Sequence, residues 1–287
     1  MGSRSAAVAI SAIVAVLGLL APPEAVAAPQ DRGFGSAAEA TITPGALMIT
    51  PIAEGRASTC TASFVFTGSG SAHGRAVYLG YAAHCAVAEG AVRADGCSAQ
   101  VLPLGSPVAV QGRDGGRIGG RLAYSSWLAM QGRGESADEL CALNDFALVE
   151  IDPAAVGLVN PTVPEVGGPD GIDTDGTDPG ETVYSYQPNN GGALEVGVVL
   201  GSSTDGLTHR VRSAKPGGRG DSGSGYLDEY GRASGVLSTQ FVDAAQTNGV
   251  TDLARALGYA NRYGGIGRVA LVKGTRYFSP ERTTQPG

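Results

Sequence analysis

The apolar runs of this chain are short, and that constrains its fold more than anything else. Thr61–Phe66, Arg75–Tyr81, Phe146–Ile151, Leu194–Leu200, Leu207–Val211, Gly235–Phe241 and Arg268–Val272 each span five to seven residues and are rich in Val, Phe, Tyr, Leu and Ile. Turn-forming residues separate them, and 45 glycines and 16 prolines among 287 residues supply that punctuation. Runs of this length and composition between such breaks read as β-strands. One segment, Asp252–Tyr263, reads as a helix, with good helix formers and apolar Leu253, Leu257 and Ala260. A parallel βαβ arrangement would need a helix between successive strands. The expectation is therefore an all-β sandwich or barrel with one helix near the C-terminus.

The N-terminal residues place the chain outside the cell. Arg4 precedes an uncharged run from Ser5 to Leu20, then Pro22, Pro23 and the small-x-small triplet Ala25-Val26-Ala27. This pattern reads as a secretory signal over residues 1–27. The run is shorter than the roughly 20 residues that cross a bilayer, and no later stretch is apolar enough to do so. Residues 28–45, rich in Ala, Gly and Pro, read as a short pro-segment or a flexible mature N-terminus. Residues 46–287 are left as the folded domain, with a boundary between two halves near 160–180. Removal of Arg4 and Glu24 together keeps the formal charge at −7. That acidic balance excludes a general nucleic-acid binder, which needs a clustered Lys/Arg surface.

Cys60, Cys85, Cys97 and Cys141 all lie in the exported part. An even number of cysteines in an oxidising compartment implies two disulfides, with three connectivities open. No C-x-x-C pair occurs and the spacings are unlike those of zinc sites, so neither a metal nor another cofactor is expected. The stretch 167–180 carries Asp170, Asp173, Asp175 and Asp178 among glycines. It reads as a solvated surface connection, because no glutamate closes it as an EF-hand calcium loop requires.

Only three histidines occur, His73, His84 and His209. A serine is a poor nucleophile at neutral pH and needs a base within reach, itself oriented by a third group. Ser222 in Gly220-Asp221-Ser222-Gly223, His84 in Ala82-Ala83-His84-Cys85 and Asp145 in Asn144-Asp145-Phe146-Ala147-Leu148 can supply those parts. Chain order then discriminates among scaffolds. No histidine follows Ser222, which excludes the order Ser, acid, His, and the G-x-S-x-G elbow fails at Ser224. Only Asp31 precedes His84, which disfavours the order Asp, His, Ser. The order His, Asp, Ser remains.

These three motifs, in this order, resemble those of trypsin/chymotrypsin-like serine proteases of the secreted bacterial type, over roughly residues 58–242. The resemblance implies two six-stranded antiparallel β-barrels with the site in the cleft between them. It implies His84 as general base, Asp145 as its orienter and Ser222 as nucleophile, with the backbone N–H groups of Gly220 and Ser222 as oxyanion hole. Ser238 resembles the family serine near the aspartate that begins the substrate-pairing strand. Pro216 stands six before the nucleophile, where relatives set the charge of the specificity pocket, so no aspartate awaits a basic side chain. Cys60 and Cys85 resemble the disulfide that brackets the histidine loop, which leaves Cys97 to pair with Cys141. A buried cationic partner is implied for Asp221.

The function so implied is a secreted serine endopeptidase, a monomer acting on protein or peptide substrates, with no nucleic-acid partner and no membrane partner once the signal is removed. The alternatives are a catalytically silent binding module on the same fold, or an esterase. His73 and His209 read as solvated loop and strand residues, and Trp127 as packing.

Overall fold

The computed structural model describes residues 1–2, 33–71, 74–88, 95–188, 194–241 and 247–280. The signal-segment reading of residues 1–27 lies outside the described residues apart from 1–2, as does His73.

The first half holds seven strands: β1 (Leu47–Ala53), β2 (Arg56–Thr61), β3 (Val65–Ser71), β4 (Gly74–Tyr81), β5 (Pro107–Gln111), β6 (Arg117–Ser125) and β7 (Ala147–Ile151). In β5 side chains alternate between core and solvent, as the pleat requires, with Val108 and Val110 pointing inward, whereas β4 is buried continuously from Ala76 to Tyr81. The ladder order β3-β4-β7-β6-β5-β1-β2 begins and ends on consecutive strands. The chain itself joins those two edges: Ala62 N–H donates to Ala46 and Ser63 N–H to Gly80. β2 and β3 thus act as one bent strand that closes a six-stranded barrel, and the run Thr61–Phe66 straddles the bend. Met48, Val65, Leu79, Val110, Leu122 and Val149 fill the interior.

The second half comprises β8 (Gly171–Ile172), β9 (Thr182–Tyr186), β10 (Leu194–Ser202), β11 (Thr208–Ser213), β12 (Gly225–Leu227), β13 (Arg232–Phe241) and β14 (Thr247–Asp252). Six of these close in the order β12-β9-β10-β11-β14-β13, with β12 pairing back to β13. Val183, Val199, Val211, Leu237 and Val250 form its core. β8 adds to β13 in parallel, a departure from the antiparallel expectation shared by the isolated bridge between Ile42 and Val159. A third cluster, including Phe64, Phe66, Phe146, Val236 and Leu257, draws on both halves. Full burial of side chains of this size stabilises by roughly 1.5–3 kcal/mol each, and this cluster extends that stabilisation across the two barrels.

Among the described residues three α-helices occur where one was expected. α1 (Ser126–Arg133) and α2 (Asp138–Leu143) lie in the loop before β7, too short and polar to show a helical period. α3 (Leu253–Tyr263) is the expected helix, buried along Leu253, Ala256, Leu257 and Ala260, the spacing of one helical face. Asp252 caps it by accepting from the Arg255 N–H.

Beyond α3 the chain returns to the first barrel as β15 (Val269–Leu271), antiparallel to β3. It then binds the segment between the barrels: Gly274 N–H donates to Pro169, Gly168 N–H to Arg276 and Ser279 N–H to Val166. Residues 33–45 bind the same segment through Gly35 N–H to Val159 and Ile42 N–H to Leu158. The fully buried Asn160 meets both, its side-chain amide donating to Gly35 O at 2.8 Å and to Thr275 Oγ1 at 3.4 Å. No described helix is long and apolar enough to cross a membrane.

The stretch 167–180 is less solvated than its composition suggested. Asp173 is buried beside Arg232, whose guanidinium also contacts Asp175 and Asp228.

Candidate active site

His84 sits in a 3-10 turn, Ala83–Ala86, that ends β4. The Cys60–Cys85 disulfide fixes the residue next to it to the end of β2. Asp145 follows α2, which the Cys97–Cys141 disulfide ties to the loop at Asp95–Ala99. Ser126 clamps the flanking backbone, donating its hydroxyl to Asn144 O at 2.6 Å and accepting from Phe146 N–H at 3.1 Å. Thr251 of β14 donates to Leu143 O at 3.0 Å. The aspartate is thus set from both barrels.

These constraints bring the two side chains together. Asp145 Oδ2 lies 2.6 Å from His84 Nδ1, and Oδ1 accepts from the His84 backbone N–H at 2.9 Å. Ser238 Oγ donates to the same Oδ2 at 2.7 Å. Asp145 is 3% exposed. Burial pushes its carboxyl pKa up, but the His84 charge and the hydrogen bonds from His84 and Ser238 outweigh this and hold it below the ordinary carboxylate range. An ionised Asp145 accepts only, so the proton of that contact lies on Nδ1, and in the neutral ring the lone pair is then on Nε2.

Ser222 stands half-buried in a loop docked on the strand ahead of His84. Thr61 N–H donates to Ser222 O at 2.8 Å. Gly223, at φ +96°, brings the backbone against Thr61, Tyr81 and Ala82, where any Cβ would collide. Protein acceptors take the N–H groups of Gly218, Asp221, Gly223 and Ser224. Those of Gly220 and Ser222 have no partner among the described residues, which leaves two donors for an external acceptor. No hydrogen bond joins Ser222 Oγ to His84 among the described residues; such contacts commonly tighten only with substrate in place.

Asp221 differs from expectation. It is buried and accepts from Gly218 N–H at 3.0 Å, but its Oδ1 has no hydrogen-bond partner and no cation pairs with it among the described residues. Burial raises its pKa, against the Gly218 bond, and the nearby Glu195 raises it further.

A cavity of about 170 Å³ opens beside Ser222, with Gly217, Gly218, Arg219, Ser238 and Gln240 on its walls. Ser238 is on this lining and beside Asp145; Pro216 is not on the lining, which begins at Gly217. A larger groove of about 290 Å³ on the first barrel, walled by Tyr78, Arg121 and Glu150, shares no residue with this site. Among the described residues, the two places where three candidate metal donors converge each include both sulfurs of a disulfide, which leaves no thiolate there to bind a metal.

Sequence reasoning missed Thr61, whose hydroxyl donates to Gly220 O, and the buried Gln187 and Asn248 behind the cavity. Nothing in their local sequence signals a role, because strand pairing brings them there. His209 is buried, not solvated: its Nε2 meets Asp252 Oδ2 at 2.9 Å and its Nδ1 meets Ser202 Oγ at 2.7 Å.

No protein-family model matches the sequence, and a search of curated proteins returns no match. Among solved structures the chain is similar to a glutamic acid-specific serine protease that uses a histidine triad in substrate binding, with TM-score 0.50, 15% identity and coverage of 80% of this chain and 100% of that one. Thermobifida fusca Protease A gives 0.49 and 17%, over 82% and 100% of the two chains. Cellulomonas bogoriensis chymotrypsin gives 0.48 and 16%, over 81% and 98%. At these identities the likeness is one of fold: the chain has the chymotrypsin-like double-barrel fold of bacterial serine proteases.

Proposed function

We propose that this protein is a secreted serine endopeptidase in which Ser222 is the nucleophile, His84 the general base and Asp145 the group that orients it. The observation that carries the reading is the doubly bonded contact of Asp145 with His84, beside a serine loop with two unengaged backbone N–H groups. His84 Nε2 takes the Ser222 proton as Oγ adds to a peptide carbonyl, and Asp145 stabilises the imidazolium so formed. The N–H groups of Gly220 and Ser222 receive the oxyanion, each such donor being worth about 3–4 kcal/mol in the transition state. His84 then protonates the leaving amine, and water activated by His84 hydrolyses the acyl-enzyme. The two disulfides fit export to an oxidising compartment.

The test is fluorophosphonate labelling of the secreted protein, with intact mass to locate the adduct. Stoichiometric adduct on Ser222, abolished in Ser222→Ala and His84→Ala, is the expected result. No adduct on folded, disulfide-bonded protein makes the chain a binding module and overturns the proposal. Cleavage of simple esters with no cleavage of peptides makes it an esterase.

A further inference from the structure

If Ser222 is the attacking hydroxyl, as proposed above, the side chain of the residue that supplies the scissile carbonyl enters the cavity beside it. We propose that Arg219 makes this cavity selective for an acidic side chain, so that the enzyme cuts after glutamate or aspartate in preference to their amides.

Among the described residues Arg219 is the only charged side chain on the lining. It stands three residues before Ser222, is exposed, and pairs with no carboxylate among the described residues. The other lining side chains are neutral: Leu237 and the hydroxyl and amide groups of Ser222, Ser238, Thr239 and Gln240. Two carboxylates belong to the neighbouring loops and neither lines the cavity. Asp221 is 1% exposed and accepts from Gly218 N–H, and Asp145 has its oxygens engaged by His84 and Ser238. A guanidinium without an anion beside it offers a planar fork of donors that matches a carboxylate.

Neutral donors stand around the same space. Thr239 is exposed, and its Oγ1 lies 3.4 Å from Ser238 Oγ, whose own proton goes to Asp145. The Thr239 hydroxyl can therefore turn to a guest. Gln240 is exposed as well, and its amide donates when the NH2 group faces the cavity. At the mouth Gly218 has no side chain to obstruct entry; apart from its chain neighbours, the nearest atom to where its Cβ would stand is Gln240 Oε1 at 3.8 Å.

The walls that carry these groups are held from behind. The buried Asn248 accepts from Gly217 N–H at 2.8 Å and donates to Gly217 O at 2.9 Å and to Thr239 O at 3.2 Å. Gly217 is packed so closely that a Cβ there would lie 2.6 Å from Leu237 Cδ2 and 2.8 Å from Gln187 Oε1. The 217 and 239 walls thus keep a fixed separation, and a carboxylate is met by groups whose backbone is already ordered. Because Arg219 is exposed, water screens the pair. An exposed ion pair is worth at most about fivefold in an equilibrium, and that sets the size of the preference.

The experiment compares kcat/KM for peptides that differ only at the acyl-side residue, Glu against Gln and Asp against Asn, with Leu and Lys alongside, using the full secreted protein. Each acid and its amide differ in charge and hardly in size, so the shape of the cavity cancels. The acid-to-amide ratios are expected at about three- to fivefold in low salt, falling toward one as salt is added. Arg219→Gln should bring both ratios to about one, Arg219→Lys should keep them above one, and Arg219→Glu should invert them and raise the Lys-to-Leu ratio. Every ratio is taken within one enzyme, so a disturbance of the adjacent Gly220 that slows all peptides alike drops out. Ratios of one or less in the unmodified protein, or ratios unchanged in Arg219→Gln, overturn the proposal. A charge preference that follows the residue on the leaving side of the scissile bond instead also overturns it. Fluorophosphonate labelling of Ser222 with no cleavage of any of these peptides overturns the acidic preference alone, whereas absence of both labelling and cleavage overturns the protease reading beneath it.

Discussion

The hydroxyl of Thr61 donates to the carbonyl of Gly220 at 2.7 Å, across 159 positions of sequence. Thr61 ends β2 of the first barrel, and Gly220 belongs to the loop that carries Ser222 in the second. The bond fixes the peptide plane next to the proposed oxyanion donors, so their aim depends on the other barrel.

Thr61→Val deletes that bond with little change of shape. We expect a loss of about 1 kcal/mol in stability. The fall in kcat/KM should be larger, about tenfold, a fraction of the 10²–10³ that removal of an oxyanion donor costs. Chemical denaturation and kinetics on the same preparation check it; equal activity would mean that the loop holds its shape unaided.

Asp145→Asn should lower kcat by about 10⁴ by favouring the wrong His84 tautomer. It should also change acid stability. A carboxyl held below its ordinary value stabilises the fold above the unfolded value of about 3.9, and that contribution is lost as pH falls through the folded value. The melting-temperature gap between the unmodified protein and the variant should therefore be constant near neutrality and narrow below about pH 4. Thermal melts across that range measure it.

Asp173 has the opposite sign. Burial raises its pKa to about 7, helped by a hydrogen bond with Asp175 and repulsion from Asp228, against the pull of Arg232. A carboxyl raised on folding contributes fully below its unfolded value, and the contribution fades as pH climbs through about 7. Urea midpoints of the unmodified protein should fall relative to Asp173→Asn between pH 4 and pH 7.5. A gap independent of pH would show that Arg232 keeps Asp173 ionised throughout.

Asp252→Ala removes the cap of α3 and leaves the buried Nε2 of His209 without its partner. About 2 kcal/mol or more should be lost, whereas Asp252→Asn, which keeps the cap and an acceptor, should recover most of it. Denaturation midpoints of the two variants decide the matter.

Strands β4, β7, β10, β11 and β13 were legible because their own residues are apolar and short-period. β5 and β6 were not: Gly119, Gly120 and the surface arginines 117 and 121 dilute the apolar signal, and pairing with neighbours decides that they are strands. The site divides in the same way. His84, Asp145 and Ser222 sit in local motifs that chemistry makes recognisable, while Ser238 is recognisable from the family resemblance alone. Thr61, Gln187 and Asn248 are ordinary polar residues whose roles arise only when the barrels close and bring together positions far apart in sequence.

The segment between the barrels, residues 156–170, is bound by backbone bonds from residues 33–45 and from 274–279, with Asn160 touching both. A protease of this design carries in its own middle the kind of extended link that another copy would cut. Here that link is already engaged on two sides and cannot be drawn into a neighbour's cleft without first peeling both chain segments away. If the chain is the protease proposed above, self-digestion at this link is opposed by the bonds that tie it to both chain segments.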